Sequence, residues 1–446
     1  MRVIKFGGTS VRDAEWIDRA LDITEVQLSH GLVLVSSAMA RTTDRLQEIA
    51  FKAEEGDFAK AERLIGDLQA IHLEAARALL TGDLLEACNR DLSSLFAELS
   101  SVVKGLSLLK ERTCRSNDLI LSFGERFATV IIAFRAKARG IEAHLLDART
   151  FMKTDNNFTQ ASLIDELTYR LIKEHVKPQA NILIVTQGFI ASTQDGTTTT
   201  LGRNQSDFTA IVIGAALEAE EVQIWTDVDG IMTSDPRFIP KASTISTMSY
   251  REAAELAHFG ARVIHPSTIQ PAVNHSIPVC VRNTGNPEGQ GTRIVAGFPP
   301  EGPKAIAFKK DITVINITSG RMLMAYGFLK AIFEIFERYK TPVDLVATSE
   351  VSVSMTVDDT AYIDSISRDL QKLGAVSVER DQSIICLVGQ DLWKRSEIIS
   401  RVFSTLKQVP IRMISLGSSD TNLSLVVPQS EIETTVSCLH REFFES

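Results

Sequence analysis

Val3-Ile4-Lys5-Phe6-Gly7-Gly8-Thr9-Ser10 is the stretch on which the reading of the fold turns. Residues 3–6 form a short β-favouring run, Gly7 and Gly8 break it, and residues 14–28 then repeat apolar side chains at helical spacing. A strand that passes through a glycine turn into a helix is the first unit of a parallel sheet covered by helices. The same alternation continues outward. Residues 32–36, 182–186, 222–226 and 279–281 read as further strands, and 206–218 as one of the helices between them. Residues 51–112 contain no Pro, are rich in Ala, Leu and Glu, and read as helices inserted after the second strand. Asp195-Gly196, flanked by 188–192 and 197–201, signals a hairpin.

A boundary follows at 286–291 and 297–303, where Gly and Pro accumulate and neither helix nor central strand can continue. Beyond it the order becomes strand 312–317, helix 328–338, strands 343–347 and 351–357, helix 363–373 and strand 375–379, which is one βαββαβ unit. The order then restarts with strand 383–388, helix 397–406, strands 411–416 and 423–427, and helix 432–443. This second unit lacks its last strand, and the run 304–310, which has no partner of its own, is expected to supply it. The expected fold is α/β: a mostly parallel sheet layered between helices, then two ferredoxin-like units. The domains read as 1–296, 312–380 and 381–446.

Composition narrows the classes. A chain of 446 residues with 44% hydrophobic and 23% charged residues is ordinary globular protein. A net charge of −9 gives no basic field for nucleic acid or an anionic membrane, so neither is expected as a partner. Five cysteines without C-x-x-C spacing read as reduced thiols, and the eight His form no ligand cluster, so no zinc site is expected and any metal should be held by carboxylates and phosphate. The N-terminus lacks an apolar signal region and no uninterrupted run approaches about 18 apolar residues, which places the chain in the cytoplasm.

The chemistry-bearing residues lie at strand ends. Lys5-Phe6-Gly7-Gly8-Thr9-Ser10 offers a cation, backbone N–H groups and hydroxyls ahead of a helix, as a phosphate requires, although a Gly-Gly turn also serves simply to join strand to helix. Thr200-Leu201-Gly202-Arg203-Asn204-Gln205-Ser206-Asp207 brings an Arg, a hydroxyl and a carboxylate to a helix start; Ser206 is equally suited to be only an N-cap. Trp225-Thr226-Asp227-Val228-Asp229-Gly230-Ile231-Met232, running on to Arg237, leaves a buried strand for a polar loop where a nucleotide could lie.

Taken with Val35-Ser36-Ser37-Ala38-Met39, Thr42-Thr43-Asp44, Phe123-Gly124-Glu125-Arg126, Thr186-Gln187-Gly188-Phe189-Ile190 and Phe259-Gly260-Ala261-Arg262-Val263, these motifs resemble the aspartate kinases in identity, order and spacing over nearly the whole chain. The resemblance implies a three-layer amino-acid-kinase domain followed by two ACT domains. It implies transfer of the γ-phosphoryl group of ATP, with Mg²⁺, to the β-carboxylate of L-aspartate, the first step toward lysine, threonine and methionine. Lys5 and Asp207 take the catalytic positions. Ser37, Thr43, Glu125, Arg203 and Ser206 fall on the aspartate-binding positions, with Glu125 toward the ammonium and Arg203 toward a carboxylate. Lys5, Gly7, Gly8, Thr9, Ser10, Thr226, Asp227, Met232, Arg237, Arg262 and Val263 fall on the nucleotide-binding positions. An ionised acceptor carboxylate needs no general base, which agrees with a site without a catalytic His.

Two further expectations come with the resemblance. Pairing between ACT units would make a homodimer, and an end-product amino acid, lysine foremost, would bind there and inhibit. Met322, Ala325, Val343, Asp344, Thr348, Ser349 and Glu350 fall on the effector-binding positions. The chain departs from the family at Asn204 and Gln205, where glycines are common, at Phe208 and Arg262, and at Ala325 and Tyr326 in the effector loop. The alternatives are another kinase of the same fold or an amino-acid sensor with a decayed kinase domain.

Overall fold

The computed structural model describes residues 1–202, 205–259, 266–297, 302–322 and 326–445. Two units result, Met1–Gly230 with Ser267–Ala296, and Ile231–Pro266 with Gly297–Ser446. In the first, β1 (Arg2–Phe6) leads through a 3-10 turn at Gly8–Val11 into α1 (Ala14–Glu25), capped by Asp13, which accepts from the Trp16 N–H. After β2 (Leu32–Ser36) comes an all-helical insertion of α2 (Thr42–Glu54), α3 (Phe58–Leu79), α4 (Gly82–Leu109), α5 (Cys114–Leu121) and α6 (Phe123–Ala138). Next follow β3 (Glu142–Leu146), α7 (Asp165–His175), β4 (Ile182–Gln187), the hairpin of β5 (Ile190–Ser192) and β6 (Thr198–Thr200), α8 (Ser206–Ala216) and β7 (Glu221–Thr226). The chain then contributes β8 (Thr247–Ser249) and α9 (Tyr250–His258) to the second unit before α10 (Pro266–His275), β9 (Val279–Asn283) and β10 (Thr292–Val295).

Within the first unit the strand order is β3-β4-β2-β1-β7-β9-β10. All neighbours are parallel except β9 and β10. β1 lies between β2, which follows it, and β7, which comes far later, so the winding reverses at β1 and the crevice beyond its C-terminal end is the expected ligand position. Both faces are covered, and Val3, Ile4, Leu32, Val33, Leu34 and Val35 are wholly buried.

Although no uninterrupted apolar run marks it in sequence, α4 is long and apolar enough to cross a membrane. It packs one face against its neighbouring helices. Phe96 stacks on Phe127 of α6 at 4.0 Å between ring centroids, and Cys88, Leu92, Leu99 and Val103 are buried along the same face.

The second unit continues with β11 (Gly302–Thr318), α11 (Phe328–Arg338), β12 (Val346–Thr348), β13 (Ser352–Val357), α12 (Ile363–Leu370), β14 (Ala375–Gln390), α13 (Ser396–Thr405), β15 (Met413–Leu416), β16 (Asn422–Pro428) and α14 (Ile432–Phe444). The sheet order is β12-β13-β11-β14-β16-β15, antiparallel throughout. The sequence reads 304–310 and 312–317 as separate strands, and likewise 375–379 and 383–388. In the structure each pair is one strand, bent at Asp311 (φ +58°) and Asp381 (φ +55°), with register shifts between β11 and β14 at the bend. Ala305 to Lys309 pair with Val388 to Ile384, while Val314 to Thr318 pair with Glu379 to Ala375. Gln429 holds the bend at Asp311, accepting from its N–H at 2.7 Å and donating to its carboxylate at 3.0 Å.

Sequence reading assigns 231–266 to the first domain; contacts group it with the second unit. Ile239 joins the apolar core built on β14, β16, α13 and α14, and the Ile306 N–H donates to the Thr233 carbonyl at 2.8 Å.

Candidate active site

The centre of the first unit's crevice is an ion pair. Lys5, next to last in β1, is 8% exposed, and its Nζ lies 2.6 Å from Oδ1 of Asp207 in the first turn of α8. An acidic residue is favoured at a helix start by the partial positive charge there, and α8 thereby presents a fixed counter-ion to the lysine. Gly7 N–H donates to the Trp225 carbonyl at 3.0 Å, and Ser10 bonds the same carbonyl through Oγ at 3.2 Å, which ties the turn after β1 to β7. Thr9 in that turn is exposed. A side chain at Gly8 would put Cβ 2.9 Å from the Ala38 carbonyl, so only glycine allows this approach.

Ala38 links that turn to the opposite wall. Its N–H donates to Glu125 Oε1 at 3.2 Å, and the neighbouring Ser37 N–H donates to the Phe6 carbonyl at 3.1 Å. Glu125, in the first turn of α6, is 3% exposed and its Oε2 has no hydrogen-bond partner among the described residues. Burial pushes its carboxyl up to about 8, against the pull of the Ala38 bond. Thr43 is half-buried in the first turn of α2, and Ser206 is buried beside Asp207. Thr226 ends β7, and its hydroxyl donates to Asp227 at 3.2 Å; Asp227 is exposed.

In the second unit, Met232 is half-buried and bridges Thr244, while Arg237 is exposed and forks onto Asp235 at 2.6 to 3.1 Å. Arg203, Arg262, Val263 and Ala325, with Asn204, lie outside the described residues. Arg126, part of a quoted motif, turns away to pair bidentately with Glu98 at 2.7 and 3.2 Å.

Sequence reading missed two buried polar groups here. Gln187 accepts from the Ala148 N–H and donates to Thr129, holding β4 against α6. Asp118 binds three donors from Thr159 and Thr200. A lone Asp within a short helix gives no local sign of its contacts with Thr159 and Thr200.

Among the expected effector residues, Asp344 is 7% exposed at its side chain and already paired: Lys309 Nζ lies 3.1 and 3.2 Å from its oxygens and 2.7 Å from Asp358. Burial alone would lower the Lys309 pKa, but the two carboxylates outweigh it and raise it. His258 Nε2 stands 3.8 Å from Asp344. Val343 packs against the core of β11, β13, α11 and α12; Met322 does so from a 3-10 turn; Thr348, Ser349 and Glu350 are exposed in the β12–β13 turn.

A lysine–carboxylate pair and a glycine turn at the reversal of a parallel sheet define a phosphotransferase acting on a small acceptor. Residues 1–283 match the amino acid kinase family, and residues 385–443 match the ACT domain. The chain is 36% identical to lysine-sensitive aspartokinase 3 of Escherichia coli over 99% of both chains, and 36% identical to chloroplastic aspartokinase 1 of Arabidopsis thaliana over 100% of this chain and 80% of that one. The crystal structure of E. coli aspartokinase III with aspartate and ADP superposes with a TM-score of 0.82 at 34% identity, covering 100% of each chain. The chain belongs to the aspartokinases, ATP-dependent kinases that join an amino acid kinase domain to ACT domains.

Proposed function

We propose that this aspartokinase moves the γ-phosphoryl group of ATP to the β-carboxylate of L-aspartate with Lys5 and Asp207 as its catalytic pair. The observation that carries the assignment is the 2.6 Å contact between them beside the Gly7-Gly8 turn. Phosphoryl transfer asks for alignment and neutralisation of charge rather than covalent catalysis. Lys5 supplies positive charge where negative charge builds on the transferring oxygens, and Asp207 holds the ammonium in place. Glu125, with one oxygen unengaged, takes the substrate ammonium; Ser37, Thr43, Arg203 and Ser206 complete the aspartate side. Gly7, Gly8, Thr9, Ser10, Thr226, Asp227, Met232, Arg237, Arg262 and Val263 serve the nucleotide. Mg²⁺ would come with ATP, with phosphate oxygens and water as its main ligands, and would supply neutralisation of the phosphate charge.

Residues 1–230 and 267–296 then form the catalytic domain, 312–380 the first ACT domain, and 381–446 the second, completed by 304–310. Lysine is the proposed effector. The E. coli enzyme has been crystallised with lysine and aspartate in a T-state, and in this chain Asp344 already receives an alkylammonium, that of Lys309. Val346 on β12 and Ile414 and Leu416 on β15 are exposed apolar side chains on the outermost strands, which supports a homodimer through the ACT domains. The cytoplasm, or another reducing compartment, suits five unpaired cysteines.

Coupled ADP release tests the reaction: L-aspartate should support turnover and L-glutamate should not. Release with neither acceptor, or equally with both, would refute it. Titration with lysine, threonine and methionine at subsaturating aspartate identifies the effector; inhibition by threonine alone would exclude lysine.

A further inference from the structure

Asp118 is a fully buried carboxylate on α5 (0% exposed) whose partners come from two distant parts of the chain. Oδ2 accepts from the Thr159 N–H at 2.9 Å and the Thr200 N–H at 3.0 Å, and Oδ1 accepts from the Thr200 hydroxyl at 2.8 Å. Among the described residues no Lys or Arg forms an ion pair with it. Burying a carboxylate on neutral donors alone is costly, and its pKa is raised by that burial, so the arrangement calls for a positional reason.

The clamped segments supply one. Thr159 is held at φ +75°, a left-handed conformation that a β-branched residue rarely adopts unless its surroundings impose it. Its partner segment is joined again by the Ala161 N–H, which donates to the Thr200 carbonyl at 3.1 Å. Thr200 ends β6, and the chain leaves it directly toward Leu201, Gly202 and Arg203. On its other side, α5 passes through Ser122, whose N–H donates to the Asp118 carbonyl at 3.0 Å, into the first turn of α6 with Glu125. One carboxylate thus ties the exit of β6 to the helical segment that presents Glu125.

We propose that Asp118 is a positioning residue for the acceptor amino acid, fixing the end of β6 relative to Glu125 so that the substrate's ammonium and carboxylate are met at a set spacing. The inference rests on the proposed aspartate-binding role of Glu125. Preorganisation of this kind acts on the affinity of one substrate and leaves the other alone.

Steady-state kinetics with both substrates varied tests it. Asp118→Leu keeps the branched heavy-atom shape and removes all acceptors; it should raise the KM for aspartate about tenfold or more and leave the KM for ATP within about twofold. Asp118→Asn should return the aspartate KM to within about threefold of wild type, since its carbonyl can serve both backbone donors while its amide donates to the Thr200 hydroxyl. Thr200→Val, a milder change that loses only the hydroxyl bond, should raise the aspartate KM about threefold. It decides the matter should Asp118→Leu fail to fold. An unchanged aspartate KM in Asp118→Leu or Thr200→Val, a parallel rise in both KM values, or no recovery in Asp118→Asn would overturn the proposal. Failure of the underlying substrate-site reading shows separately, as an unchanged aspartate KM in Glu125→Gln.

Discussion

Glu125 holds a proton where its proposed partner, an ammonium, needs a charge. Its carboxyl stands at about 8 in the folded chain against an ordinary 4.5. Between those pH values the folded protein binds a proton that the unfolded chain has released, so stability falls as pH rises through that window, at most by about 1.4 kcal/mol per unit. Glu125→Gln should flatten this decline, read as urea midpoints at pH 5.5 and 8; superimposable profiles would contradict the raised pKa. Aspartate favours the ionised form, so binding near pH 7 should release a proton, measurable by calorimetry in buffers of different ionisation heat. In the proposed mechanism Lys5 acts differently, because its charge would count most in the transition state. Lys5→Ala should reduce kcat by about 10² or more with a small effect on the KM for aspartate. A variant with near-normal kcat would remove Lys5 from the chemistry.

Elements bring these residues into register through close contact. A Cβ at Gly188 would fall 2.5 Å from the Ser206 Cβ, so β4 abuts the first turn of α8, the turn that carries Asp207. Gly188→Ala should displace that turn, lower the melting temperature by the equivalent of about 1–3 kcal/mol, and reduce kcat more than it changes either KM. A stable, fully active variant would show that α8 has slack. Alternation of apolar runs was enough to read β1, β2, β4, β7 and β9 from sequence, because burial on both faces leaves a continuous signal, but not β3, which is largely exposed, or β10. It failed where polar residues interrupt a strand that stays hydrogen-bonded. Lys309-Lys310-Asp311 and Arg380-Asp381-Gln382 look like breaks, yet β11 and β14 pair on both sides of them. The candidate residues at strand ends stand out in the sequence because local glycines and hydroxyls accompany them. Asp118 does not, since its partners lie 41 and 82 residues away.

At the scale of the molecule, Lys309 joins the two ferredoxin-like units. It sits in the part of β11 that pairs with Ile384, yet its ammonium lies on Asp344 and Asp358, beside the other ferredoxin-like unit. If lysine binds at Asp344 as proposed, its ammonium has to displace Lys309, which keeps Asp358 as a partner. Lys309→Met should therefore lower the lysine concentration for half-inhibition; a loss of inhibition would mean that Lys309 shapes the pocket rather than competes for it. The course of β11 also bears on how such an enzyme could be rebuilt. A gene fusion that imported the regulator from residue 311 onward would leave β14 without its neighbour at Ala305 to Lys309, and one that began at residue 302 would still omit 231–266. Transplanting feedback control between relatives thus requires two crossover points in the gene, one within the kinase sequence itself, and single-junction chimaeras should yield insoluble or unregulated protein.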